Sequence, residues 1–293
     1  MSNLEASYNL ILNNLREISG IEDFYFKPIK PKLSDIELIS LVILAEFKSI
    51  DSEHQLFREI KGFEIGPNIE RSVYNRRKRK LFPFIEEIRM KMVDKLNESE
   101  NYFIVDSMPL EVCKISRSFR SKICKDVDYA YPNKGFCASQ NLHFYGYKLH
   151  AVCSISSVFQ SFDISPASVH DIHYLQDIKL QMSDCVLLGD KGYLSQTIQL
   201  DLFKEVNIEL ETPKRKNQKD YKPQFYQFKK YRKRIETLFS QLCDQFMIRR
   251  NYAKTFQGFK TRILAKIATL TTIQYLNKFL FGRNINNLKI NLA

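Results

Sequence analysis

The chain's 293 residues include 44% hydrophobic and 27% charged side chains, a balance that supports a folded core and excludes disorder as the main state. Lys and Arg number 45 against 33 Asp and Glu, a formal charge of +12, so an anionic partner is expected, because basic side chains that neutralise phosphates release condensed counterions. The longest apolar stretch, Leu38 to Ala45, is far short of the ~20 residues a membrane span needs, and no membrane is expected as a partner.

Up to about residue 98 the patterning is helical. Leu4, Tyr8, Ile11, Leu12 and Leu15 recur at helical spacing. Ser34-Asp35-Ile36-Glu37 is a capping-box start for an apolar helix reaching about Phe47. Gly66-Pro67-Asn68 breaks the chain before a basic helix running from Tyr74 to Lys80, and Ile85, Ile88, Met92 and Leu96 stripe another. Short helices followed by a strongly basic one resemble a helix-turn-helix unit that lays its last helix on DNA, with Arg76, Arg77 and Arg79 as phosphate contacts. The alternative is a solvated charged face on an ordinary bundle.

From residue 99 to 293 strands alternate with helices. Tyr102 to Val105 predicts a short buried strand that ends at Asp106, stopped by Ser107-Met108-Pro109. His143 to Ile155 and Val158 to Ile164 predict a hairpin turning at Ser156-Ser157, with Ser165-Pro166 ending it. A helix from His170 to Ile178, a strand from Cys185 to Leu188, a helix from Gln196 to Val206 and a strand from Ile208 to Thr212 follow. A basic segment, 214–234, and a C-terminal helix striped by Ile263, Leu264, Ile267, Leu270, Ile273 and Leu276 complete this second domain.

Two acids stand at the tips of predicted strands: Asp106, and Asp190 between Gly189 and Lys191-Gly192. If those strands are neighbours, two anions face each other and need a cation between them. Magnesium suits such a pair, since it takes one or two carboxylates plus waters and phosphate oxygens. Glu236 lies on the margin of a helical stripe made by Ile235, Leu238, Phe239, Leu242 and Phe246, and would be the third ligand. Taken singly, Asp190 reads as a turn residue and Glu236 as an exposed acid paired with Arg232 one turn earlier.

At these residues the sequence resembles the DDE transposases of bacterial insertion sequences, and among them the nine-eight-two family. The matching segments are Val105-Asp106-Ser107-Met108-Pro109 with Cys113 shortly after, Tyr145-Gly146-Tyr147-Lys148-Leu149-His150, Gly189-Asp190-Lys191-Gly192-Tyr193, and Arg232-Lys233-Arg234-Ile235-Glu236-Thr237-Leu238-Phe239-Ser240-Gln241. Together they span roughly Asn101 to Lys266. The resemblance implies an α/β, ribonuclease-H-like catalytic core, a mixed five-stranded sheet with flanking helices, behind the small all-α domain. It implies Asp106, Asp190 and Glu236 as catalytic and metal-binding residues, two Mg²⁺ ions with Mn²⁺ as substitute, and cleavage and strand transfer at inverted repeats. Its partners would be double-stranded DNA, as element ends and as target, and a second copy of the chain in the synaptic complex. A related group of insertion-sequence transposases has a Tyr, Arg, Glu, Lys signature around the glutamate; here its tyrosine position is Lys229 and its lysine position Cys243, so that group's DNA-hairpin step is not carried over.

Lys191, Arg232, Lys233 and Arg234 are expected to contact DNA, as are Lys148 and His150 at the cleft edge. In 214–234, cations alternate with Tyr221, Phe225, Tyr226, Phe228 and Tyr231, a composition suited to phosphates and unstacked bases, or to a solvated loop with tucked aromatics. His170 and His173 lack the partners of a zinc site, and Ser107 lacks a His-Asp pattern for nucleophilic catalysis. Six cysteines form no C-x-x-C pair and read as free thiols. With no signal-peptide layout in MSNLEASYNL, a cytoplasmic, nucleoid-associated protein is expected. The rival readings are a nuclease of the same fold that does not join ends, and a non-catalytic or decayed DNA-binding protein.

Overall fold

The computed structural model of the chain describes residues 3–63, 68–138, 140–214, 221, 223, 225–289 and 292. Of the expected chain break, Gly66 and Pro67 lie outside these. Contacts divide the chain into a helical unit, Met1–Leu96 with Asp244–Tyr252 and Gln257–Ala293, and a sheet-containing unit, Asn97–Cys243 with Ala253–Phe256.

The helical unit holds α1 (Asn3–Ser19), α2 (Asp35–Phe47), α3 (Glu53–Glu59), α4 (Arg71–Lys80), α5 (Phe82–Leu96) and nearly all of α9 (Phe256–Phe279). The capping box is present: Glu37 N–H donates to Ser34 Oγ at 3.3 Å and Ser34 N–H to Glu37 Oε2 at 2.7 Å. The division differs from the sequence boundary in placing the C-terminal helix here. The reason is burial on all sides: alongside Ile263, Ile267 and Leu270, the polar Thr261, Lys266, Thr269, Thr272 and Gln274 are also buried. A helix hidden all round needs neighbours on every face, which one sheet face cannot supply. Its threonine hydroxyls turn back to carbonyls one turn earlier, Thr269 to Ala265 and Thr272 to Ala268. Lys266 Nζ reaches Glu46 on α2 at 2.5 Å, with the lysine side chain 1% exposed. Replacing Lys266 with methionine leaves that carboxylate buried alone. Urea unfolding is expected to show a loss of ~3 kcal/mol, largely restored by adding Glu46→Leu.

The basic helix α4 is partly consumed by this packing. Arg77 Nη2 donates to Asp35 Oδ1 at 2.7 Å and Lys78 Nζ to Glu53 Oε1 at 2.9 Å. Arg77, expected on DNA, is a buried counter-ion to a fully buried aspartate. Arg79 turns its Nε to the Asn75 carbonyl, while Arg76 is exposed.

The second unit is built on a mixed sheet of β1 (Tyr102–Cys113), β2 (Asn133–Cys137), β3 (Leu142–Ser154), β4 (Phe159–Pro166), β5 (Cys185–Leu188) and β6 (Ile208–Glu211), with α6 (Tyr174–Lys179), α7 (Gln196–Val206) and α8 (Tyr226–Asp244). β4, β3 and β1 run antiparallel to one another; β5 and β6 lie parallel beside β1. That is the ribonuclease-H-like order expected of five strands. The sixth, β2, was not expected; it pairs with Leu142–Gly146 on the edge of β3 that β4 occupies further along.

β1 does not stop at Asp106. It pairs with β3 as far as Cys113, so Asp106 sits mid-strand. Pro109 is tolerated because β1 beyond Ile104 has no partner on the β5 side, where a missing N–H leaves no ladder bond unmade. At the far end Gly146 is required by close approach: a Cβ there would fall 2.1 Å from the Leu110 carbonyl oxygen.

One sheet face carries Phe103, Val105 and Leu187, packed on Tyr174, Leu175 and Ile178 of α6 and Leu202 of α7. The other face carries Tyr102 and Ile104 and receives α8: Phe228 and Tyr231 meet Tyr102, and Phe239 meets Phe159 at 6.3 Å between centroids. Side chains alternate along a strand, so Asp106 belongs to this α8 side.

Candidate active site

Parallel pairing of Phe103 with Leu187 and Ile104 with Leu188 sets the site. Asp106 and Asp190 each lie two residues beyond the last β1–β5 pair, near enough for the Asp190 charge to act on Asp106. β5 has by then left the sheet, turned by Gly189-Asp190-Lys191-Gly192-Tyr193. Asp190 Oδ1 accepts from Gly192 N–H at 2.7 Å, which needs glycine: a Cβ on Gly192 would lie 2.9 Å from that oxygen. The turn role read from sequence is therefore real, and it uses only one of the two carboxylate oxygens.

Asp106 Oδ1 accepts from the Ser107 N–H at 2.8 Å. Burial nevertheless pushes its carboxyl up to about 7; the negative charges of Asp190 and Asp171 add to the rise, while the Ser107 N–H and the Arg232 guanidinium oppose it. A pair of crowded carboxylates with an all-oxygen donor set fits a hard divalent cation.

Asp171, directly before α6, was missed. Its Oδ2 accepts from Ser107 Oγ at 3.0 Å and its Oδ1 from Lys148 Nζ at 2.8 Å. In the sequence it passes for an ordinary first-turn acid of the helix expected from His170. The signal was its place just after β4 leaves the sheet. Lys148, expected on DNA, also donates to the Val169 carbonyl at 2.9 Å, so its ammonium is engaged within the protein. His150, also expected at the cleft edge, is buried. It is 2% exposed, shares a hydrogen bond with Ser165 Oγ at 2.7 Å, stacks on Tyr174, and is pushed down to about 4 by burial. His150 Nδ1 and the buried Tyr193 hydroxyl have no hydrogen-bond partner among the described residues.

Glu236 is not gathered with the aspartates. It is exposed on α8 and makes no hydrogen bond or ion pair among the described residues, not even with Arg232. No three His, Cys, Asp or Glu side chains among the described residues are grouped to hold a metal ion. Arg232, one turn before Glu236, is the α8 side chain whose charge Asp106 feels. Residues at i and i+4 share a helix stripe, so Glu236 is on the same side of α8 as Arg232. Lys191, Lys233 and Arg234 are exposed and without acidic partners among the described residues. Of the basic segment 214–234, residues 215–220, 222 and 224 lie outside the described set, among them Arg215, Lys216, Lys219 and Lys222.

Residues 98–272, more than half of the chain, match the family described as transposase DDE domain. No curated protein matches. The solved Mos1 transposase paired-end complex with left transposon end is similar over 88% of this chain and 85% of that one, at 12% identity and a TM-score of 0.24. A likeness at that score supports neither fold nor function.

Proposed function

Because the chain belongs to the transposase DDE domain family, we propose that it binds the inverted-repeat ends of an insertion sequence of the nine-eight-two type and catalyses their cleavage and strand transfer. The observation that carries the site assignment is the pair Asp106 and Asp190, each two residues beyond the last pair of β1 with β5, with the Asp106 carboxyl pushed up to about 7 by burial and like charge. These two carboxylates hold the divalent cation, magnesium with manganese as substitute, and Glu236 is the third ligand, brought in when DNA is engaged. When bound, a pair of such ions supplies charge neutralisation at the attacking and leaving oxygens of a phosphodiester.

The chain's own residues do the rest. Asp171 is a positioning residue: it pins Ser107, whose N–H holds Asp106. Lys191, Lys233, Arg234 and Arg76 are exposed cations for backbone phosphates, and Arg232 sets a positive charge beside the reacting centre. Synapsis of two ends calls for two copies of the chain. No helix among the described residues is long and apolar enough to cross a membrane.

The isolation of Glu236 favours a second reading, a DNA-binding protein that no longer cuts. One assay decides. The full chain is incubated with duplexes carrying the element's ends, in Mg²⁺ or in chelator, and with pre-cut ends plus target. Mg²⁺-dependent nicking and joining are expected. Nicking without joining indicates the nuclease alternative, and binding without nicking the decayed one.

A further inference from the structure

Between β1 and β2 the chain runs through a segment, 114–132, for which the proposed reaction has so far no use. Its backbone is tied to the sheet-containing unit. Cys124 N–H donates to the Lys254 carbonyl at 2.8 Å, Asp126 Oδ1 accepts from Phe256 N–H at 2.9 Å, and the Tyr147 hydroxyl donates to the Ala130 carbonyl at 2.7 Å. On this fixed frame Phe119 is 73% exposed and Tyr129 86% exposed. The Arg120 guanidinium stands 4.9 Å from the centre of the Phe119 ring.

Charge is as one-sided as the aromatics are exposed. Lys114, Arg117, Arg120, Lys122 and Lys125 are exposed and have no acidic partner among the described residues. The segment's two acids are both engaged within the unit, Asp126 by the Phe256 N–H and Asp128 by the Tyr131 hydroxyl. Five cations against two acids, around two outward-facing rings, suit a chain of phosphates with free base faces. A closed duplex offers the phosphates but keeps its bases stacked.

Resting on the DNA-cutting reading above, we propose that segment 114–132 is a second DNA surface, which takes the unpaired strand at a nicked or frayed element end by stacking bases on Phe119 and Tyr129. The strand carrying Asp106 leads into it. From Asp106 to Cys113 is seven residues, ~23 Å of extended chain, a span of about seven nucleotides at 3.4 Å each. The segment therefore begins, at Lys114, about that span along β1 from Asp106.

Affinities of the full chain for a blunt duplex, and for the same duplex with a single-stranded extension, test this in chelator, where no cutting intervenes. Phe119→Leu with Tyr129→Leu keeps apolar bulk and removes the π faces. Affinity for the extended DNA is expected to fall about tenfold or more, with the blunt duplex bound as before. Arg117→Ala with Arg120→Ala is expected to weaken both DNAs and lower the salt slope by about 2. Unchanged binding of extended DNA by the leucine variant, or an equal loss on both DNAs, overturns the proposal. Wild-type protein that binds and cuts element ends while the leucine variant matches it sinks this surface alone. Wild-type protein that binds neither DNA sinks the underlying reading too.

Discussion

Replacing Asp106 with asparagine is expected to stop Mg²⁺-dependent cleavage, by ~10³-fold or more, and to make the metal-free protein more stable at pH 8. The two effects share one cause. Buried beside Asp190 and Asp171, the Asp106 carboxyl titrates at about 7, against 3.8 unperturbed. Between those values the folded state binds a proton that the unfolded state has released, so this group's contribution to stability falls as pH rises from about 4 to about 7. At pH 8 the wild type holds an uncompensated buried anion at a cost on the order of a few kcal/mol, which asparagine removes. His150 works in the opposite direction. Its imidazole titrates at about 4 against 6.5, so its contribution is lost as pH falls from 6.5 to 4. The two slopes offset in the wild type. Asp106→Asn exposes the histidine, and Tm measured in chelator is expected to drop between pH 6.5 and 4 more steeply than in the wild type. A variant less stable than wild type at pH 8 contradicts the crowding of Asp106; one that cuts normally contradicts its role.

Much of this was legible in the chain because it is written locally. Short apolar runs and their punctuation place β5 and α7 to the residue, and the Ser34 capping box marks the start of α2. What failed depends on partners far away in sequence. Arg77 and Lys148 look like solvated cations until Asp35 and Asp171, 42 and 23 residues distant, take their charge. Pro109 looks like a strand terminator unless one knows that β5 has already departed. The C-terminal helix has an apolar stripe compatible with a sheet; only the burial of its polar residues shows that it needs a bundle. Asp106 and Asp190 stand out in the sequence because each follows an apolar run, and a carboxylate at that place is conspicuous. Asp171 follows no such run and was passed over.

Glu236→Gln is expected to leave folding and Tm unchanged and yet reduce Mg²⁺-dependent cleavage by ~10³-fold. The first half follows from its surroundings: an exposed side chain with no hydrogen bond or ion pair among the described residues contributes within about 0.5 kcal/mol. The second half follows from the proposed role of Glu236 as third ligand, one turn beyond Arg232, whose charge acts on Asp106. In the structure the guanidinium acts on the charge of Asp106. DNA offers Arg232 a phosphate instead, a better bidentate partner. A cation held by Asp106 and Asp190 would favour the Glu236 carboxylate over the Arg232 guanidinium beside it. Arg232→Ala should therefore weaken DNA binding and retain Mn²⁺ binding measured by calorimetry, whereas Glu236→Gln should retain DNA binding and weaken Mn²⁺ binding in the DNA complex. A Glu236→Gln protein that cuts at the wild-type rate removes Glu236 from the site and leaves the third ligand to be sought nearer the aspartates, with Asp171 the first acid to replace.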